Sequence, residues 1–242
     1  DMVLPQPWIH IGMPKTGTTT LEQFWKCGLG ELKVSHSTCA VTSQELRDQA
    51  FGGMGLPAED KACPSHRVKP CKLCGDCMRK AQNMSLPLLQ SCGNYQAWAQ
   101  LDTEEACYMP QLQALDKIHD DAPNATFVFM FRDINRWVES VQTFGNMRKG
   151  QMLRRFQHCK FPYWEGKKPR ELKQWFCRAV KHARKFVKEN PSHKLLEIDL
   201  DDPNTAELAS RAFGLPATCW GHHNVNRFID SNSRSTPSAE ES

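Results

Sequence analysis

The tract from Pro7 to Cys27 constrains this chain more than any other. A short apolar run, Pro7 to Gly12 (Pro-Trp-Ile-His-Ile-Gly), leads into Gly12-Met13-Pro14-Lys15-Thr16-Gly17-Thr18-Thr19-Thr20. The run reads as a strand, and Thr18 to Cys27 reads as the helix after it. A glycine-bounded turn between strand and helix leaves backbone N–H groups pointing into one concavity. The helix N-terminus adds partial positive charge, so the junction suits a phosphate-like anion. The bland alternative is an ordinary Gly-Thr turn in an α/β domain.

The rest of the chain continues the alternation. Leu32 to Ser35 reads as a second strand, Thr126 to Phe131 as a core strand and Leu195 to Leu200 as the last. Helices are predicted over Met109 to His119, from Asn135 to about Met147, and over Glu171 to Lys188. Strands that alternate with helices predict an α/β fold, with a P-loop-type parallel sheet flanked by helices. Residues 41–107 break the pattern and read as an irregular cysteine-rich insertion. From Asp230 onward the sequence has almost nothing to bury, so residues 1–229 are read as one domain and 230–242 as a flexible polar tail. With 40% hydrophobic residues, 7 Trp and 12 Phe, the chain has the material for a core and is not a disordered sequence.

A net charge of +4 is too mild to argue for nucleic acid, and no nucleic-acid partner is expected. From Arg148 to Lys173, however, cations far outnumber acids, which suits an anionic partner as well as a solvated face. The longest apolar stretch, Phe127 to Phe131, is far short of the roughly 18 residues of a membrane span. Membrane contact is therefore expected only through an anchor outside these residues. Of the 11 cysteines, Cys63, Cys71, Cys74 and Cys77 crowd together. Disulfides, a four-thiolate zinc site and free thiols are all compatible with that spacing. Two N-x-S/T sequons, Asn83-Met84-Ser85 and Asn124-Ala125-Thr126, lean toward a glycoprotein of the secretory lumen.

The loop resembles the Walker pattern G-x-x-x-x-G-K-[ST] but departs from it, because Thr18 follows Gly17 and the lysine is inside the loop at Lys15. Pro14-Lys15-Thr16-Gly17-Thr18-Thr19 is instead similar to the 5′-phosphosulfate loop of sulfotransferases. The second motif of that family is an Arg after a central strand and a Ser about eight residues on. Here Arg132 follows Phe127-Val128-Phe129-Met130-Phe131, and Ser140 lies in the next predicted helix. The resemblance implies a sulfotransferase that uses 3′-phosphoadenosine 5′-phosphosulfate, with Golgi-type carbohydrate enzymes as the nearest kind. It implies that Lys15, Thr16, Gly17, Thr18 and Thr19 hold the 5′-phosphosulfate, and that Arg132 and Ser140 grip the 3′-phosphate. Asn226 is implied in a loop that closes over the nucleotide.

Sulfuryl transfer needs positive charge on the leaving phosphate and a base for the acceptor proton. Lys15 suits the first role. For the second, His36 in Val34-Ser35-His36-Ser37-Thr38 resembles the placement of the catalytic His in uronyl 2-O-sulfotransferases. Glu31 and Glu22 are the reserves, with Glu22 the more readily taken for a solvated helix residue. No metal is required by this scheme. The implied partner is a hydroxyl-bearing acceptor, an anionic glycan above all, in the Golgi lumen or elsewhere in the secretory pathway. A cytoplasmic enzyme acting on a small alcohol or phenol, a P-loop kinase and a zinc-dependent binding module are the alternatives.

Overall fold

Six consecutive residues, Thr126–Phe131, are almost fully buried, as a strand covered on both faces must be. This strand, β6, pairs in parallel with β1 (Trp8–His10) on one side and β7 (Lys194–Asp199) on the other. Beyond β1 lie β5 (Ala97–Trp98) and then β2 (Val34–Ser35), giving a five-stranded parallel sheet in the order β2-β5-β1-β6-β7. The computed structural model of the chain describes residues 3–53, 71–102, 107–144, 151–159 and 168–221. The predicted tail, Asn226 and Cys63 lie outside them.

Side chains alternate between the two faces along each strand. Ile9, Phe127 and Phe129 point into the larger core. There they meet α3 (Cys74–Asn83), α6 (Leu115–Asp121), α7 (Ile134–Thr143) and α9 (Pro169–Glu189). Trp8, Val128 and Met130 point the other way, against α1 (Thr18–Leu29) and α10 (Thr205–Phe213). On that side Trp8 packs 4.7 Å from Phe213 and 6.0 Å from Trp25, ring centre to ring centre. Burying each such ring contributes about 1.5–3 kcal/mol. The parallel sheet with helices on both faces is the architecture expected from the sequence.

The tract 41–107 is more regular than its sequence suggests. A two-stranded antiparallel ribbon pairs β3 (Thr38–Ala40), which begins just before the tract, with β4 (Cys71–Leu73) inside it. Helices α2 (Gln44–Phe51), α3 and α4 (Leu88–Ser91) follow the same core. The end of the tract is a strand of the main sheet, because β5 runs between β1 and β2. The helix expected over 109–119 is two short ones, α5 (Pro110–Gln113) and α6, with Ala114 between them. The remaining described helix, α8, spans Gln151–His158.

Disulfides account for the crowded cysteines. Cys39–Cys74 ties β3 to the start of α3, and Cys77–Cys92 ties α3 to the end of α4. Cys107–Cys159 and Cys27–Cys219 staple more distant parts, and Cys71 is disulfide-bonded as well. Three of the four thiols proposed for zinc are thus oxidised, which removes the zinc-module reading. Cys177 is the free cysteine among the described residues. Oxidised cysteines in this number belong to a secreted or lumenal protein rather than a cytosolic one. No described helix is long and apolar enough to cross a membrane.

Candidate active site

Strands β1 and β6 are neighbours, but the helices that follow them cover opposite faces of the sheet. Their carboxyl ends therefore form a switch point, where a crevice opens above a parallel sheet. The chain after β1 stays against β6, with Ile11 N–H donating to Val128 C=O at 2.9 Å. It then turns through Gly12 to Gly17. A Cβ on Gly12 would meet His10 Nε2 at 2.6 Å and the Met130 backbone N at 3.3 Å, so this position needs glycine for close packing on β6. Gly17 has φ 97°, in the left-handed region, and stands as the N-cap of α1.

Three groups hold the loop in shape. Thr16 Oγ1 donates to Met13 C=O at 2.6 Å, and Trp137 Nε1 on α7 donates to Pro14 C=O at 2.8 Å. Arg132 reaches from the end of β6 to Lys15 C=O at 3.5 Å. Lys15 itself is in the left-handed region at φ 69°, and its Nζ lies 4.0 Å from the centre of the Phe144 ring. No side chain caps α1 and its first turn carries no acid, so the N–H groups around Thr18, Thr19 and Thr20 keep their positive end toward the crevice.

Arg132 is half-buried at the strand end, and its Nε is fully buried with no hydrogen-bond partner among the described residues. A buried guanidinium nitrogen without a partner is costly, and an anion would satisfy it. Asp133, next in sequence, caps α7 by accepting from the N–H groups of Asn135 and Arg136 at 3.0 and 2.9 Å. Ser140 lies two turns into α7 and is buried.

His36 leaves β2 two strands away, and the structure joins it to the loop through Thr18. Its Nε2 is 3.4 Å from Thr18 Oγ1, and Thr18 Oγ1 is 3.3 Å from Gln100 Oε1 beyond β5. Its Nδ1 is 3.3 Å from Glu22 Oε2 on α1. Glu22 is buried, with Lys26 Nζ 2.8 Å from its other oxygen, so the expectation of a solvated helix residue is wrong. The exposed carboxylate is Glu31, which meets the same Lys26 at 2.8 Å. The segment after His36 is held by the ribbon, with Cys74 N–H donating to Ser37 C=O at 2.8 Å. Burial pushes the imidazole pKa of His36 down, opposed by the Glu22 carboxylate and aided by the Lys26 charge. At neutral pH the ring is therefore uncharged and able to accept a proton.

Sequence reasoning missed a buried layer beneath the loop. Gln111 Nε2 donates to Asp102 Oδ1 at 2.8 Å and approaches Gly12 C=O at 3.5 Å, and Gln100 Nε2 reaches Asp102 at 3.4 Å. His10 Nε2 stands 3.5 Å from Thr16 Oγ1. Burial, with His36 nearby as the lesser cause, brings the His10 pKa down to about 3. His10 ends the strand that feeds the loop, a position that could have been flagged. Gln100 and Asp102 fall inside the cysteine-rich tract, where no periodicity marks them. Of the expected site residues, Lys15 to Thr19 and Arg132 converge at the crevice, His36 joins through Thr18, and Ser140 is on the adjoining helix.

No curated protein matches the chain. Residues 7–199, from β1 through β7, match the model of the sulfotransferase family. That span takes in the glycine loop, His36, Arg132 and Ser140. The chain therefore belongs to the sulfotransferase family, whose members are enzymes that transfer sulfate.

Proposed function

We propose that the protein transfers the sulfuryl group of 3′-phosphoadenosine 5′-phosphosulfate to a hydroxyl of an acidic glycan. The observation that carries this reading is Arg132: a buried guanidinium nitrogen, unpartnered among the described residues, beside a loop and helix terminus that already favour an anion. Anion-favouring groups both at the loop and at Arg132 suit a nucleotide phosphorylated on both its 5′ and 3′ sides. A triphosphate kinase reading lacks its lysine, since Thr18 follows Gly17.

When bound, the donor supplies an activated sulfuryl group on its 5′-phosphate. Lys15 and the first-turn N–H groups of α1 stabilise the negative charge that grows on that phosphate as transfer proceeds. Arg132 and Ser140 fix the 3′-phosphate and so the direction of approach. His36 accepts the acceptor's proton. An acidic acceptor is favoured by the excess of Lys and Arg between Arg148 and Lys173. The disulfides suit an oxidising lumen, and we assign the Golgi within it. Asn83 and Asn124 are both exposed, as glycosylated sequons must be.

Labelled sulfate donor incubated with sulfated and carboxylated glycans, neutral glycans, phenols and tyrosine peptides tests the proposal. Transfer to an acidic glycan is expected. Label appearing only on phenols would move the enzyme to small-molecule substrates, and no transfer to any acceptor would overturn the reading.

A further inference from the structure

We infer that Glu22 is a positioning residue: its carboxylate fixes the His36 proton on Nδ1 and leaves Nε2 as the nitrogen that takes the acceptor's proton. The inference rests on the reading of His36 as the base, and it follows from which atoms can donate. A carboxylate accepts hydrogen bonds and never donates, so its charge 3.3 Å from His36 Nδ1 favours the tautomer that carries its hydrogen there. In an uncharged imidazole the other nitrogen then has a lone pair. That nitrogen, Nε2, is 3.4 Å from Thr18 Oγ1, in the first turn of the helix that opens on the phosphosulfate loop. The Thr18 hydroxyl has a second acceptor in Gln100 Oε1 at 3.3 Å, so it can release His36 when an acceptor hydroxyl arrives.

The surroundings hold Glu22 in this orientation. Lys26 Nζ occupies Oε1 at 2.8 Å and is itself tied to Glu31 at 2.8 Å, leaving Oε2 to face the ring. The spacing is built into α1: Thr18, Glu22 and Lys26 recur at four-residue intervals and so share one face of the helix. Among the described residues, the charged and titratable groups around His36 are Glu22 and Lys26 on α1, Glu31 in the turn after it, and His10 at the end of β1. Asp102 lies behind Gln100.

The step balances as follows. The acceptor O–H bond breaks and its proton forms a bond to His36 Nε2, while the oxygen's electron pair forms the new bond to sulfur. The bond from sulfur to the bridging phosphate oxygen breaks, and that electron pair leaves with the nucleotide. The imidazolium produced carries hydrogens on both nitrogens and lies against Glu22. It returns the Nε2 proton to solvent after product release.

The test uses the full chain. Nitrogen-15 spectra of wild-type His36 at pH 7 are expected to show a protonated Nδ1 and an unprotonated Nε2. The reverse tautomer would overturn the inference, and this readout needs no variant to fold. Glu22→Gln is expected to lower kcat about 10²-fold, with affinity for adenosine 3′,5′-bisphosphate unchanged. It is also expected to move the acid limb of the kcat/KM profile to lower pH, since the Glu22 charge raises the His36 pKa. A purely structural role would not move that limb. Unchanged kcat and pH profile in Glu22→Gln, beside an inactive His36→Ala, would overturn this inference alone. Full turnover in His36→Ala would instead remove the reading of His36 as the base.

Discussion

His10 lies directly beneath the Gly12–Gly17 loop, wholly buried and with Nδ1 unpartnered among the described residues. Its pKa of about 3 in the folded chain against an ordinary 6.5 means that the unfolded chain binds the extra proton first. Stability is then full above about pH 6.5 and falls as pH drops toward 3, by about 1.4 kcal/mol per pH unit from this residue. His36 and His193, whose pKa values burial also lowers, act in the same direction. Urea unfolding at pH 7, 6 and 5 should show this loss, and His10→Gln should flatten it. An identical pH dependence in the variant would remove His10 from the account. At the same scale, His36→Ala should cost about 10²–10⁴-fold in turnover with product-nucleotide binding intact. Lys15→Ala should damage both, because Lys15 belongs to the loop proposed to hold the phosphate. The strand-end placement of Lys15, Arg132 and His36 was legible because each follows a strand in a recognisable string of residues. Glu22 was not, because nothing in Thr-Leu-Glu-Gln-Phe says that a partner from another strand will cover it.

Among the elements, β6 was the easiest to read, since an unbroken apolar run from Phe127 to Phe131 fits a strand covered on both faces. Strand β5 was the hardest. Two residues, Ala97 and Trp98, carry no period, and they come at the end of a tract whose glycines and cysteines signal irregularity. What makes them a strand is tertiary: parallel pairing to β1 on one side and β2 on the other. The ribbon of β3 and β4 was hidden for a related reason, because its partners are separated by a long stretch of chain and stapled by Cys39–Cys74. Cys39 stands three residues after His36, and Cys74 N–H holds the turn that follows His36. Replacing both cysteines by serine should lower stability by about 2–4 kcal/mol. Turnover should fall as the His36 turn loosens, while affinity for the product nucleotide is kept. Loss of nucleotide affinity in parallel with turnover would show that the ribbon supports the whole sheet rather than the base.

For the molecule as a whole, the alternation of strand and helix was enough to give a parallel α/β sheet, and the two strand-end motifs were enough to locate its crevice. Strand order was not legible. It places β1 and β6 side by side at the switch point, and so brings residues from positions 15 and 132 into contact across the crevice. On the proposed reading, the same arrangement lets one nucleotide be held by two phosphates at once. Calorimetric titration with adenosine 3′,5′-bisphosphate and with ATP, on the wild type and on Arg132→Ala, tests that claim most directly. The wild type should bind the bisphosphate much more tightly than ATP, and Arg132→Ala should lose most of the difference while it still folds. Equal affinity for the two nucleotides in the wild type would contradict the assignment of this crevice to a 3′-phosphorylated sulfate donor.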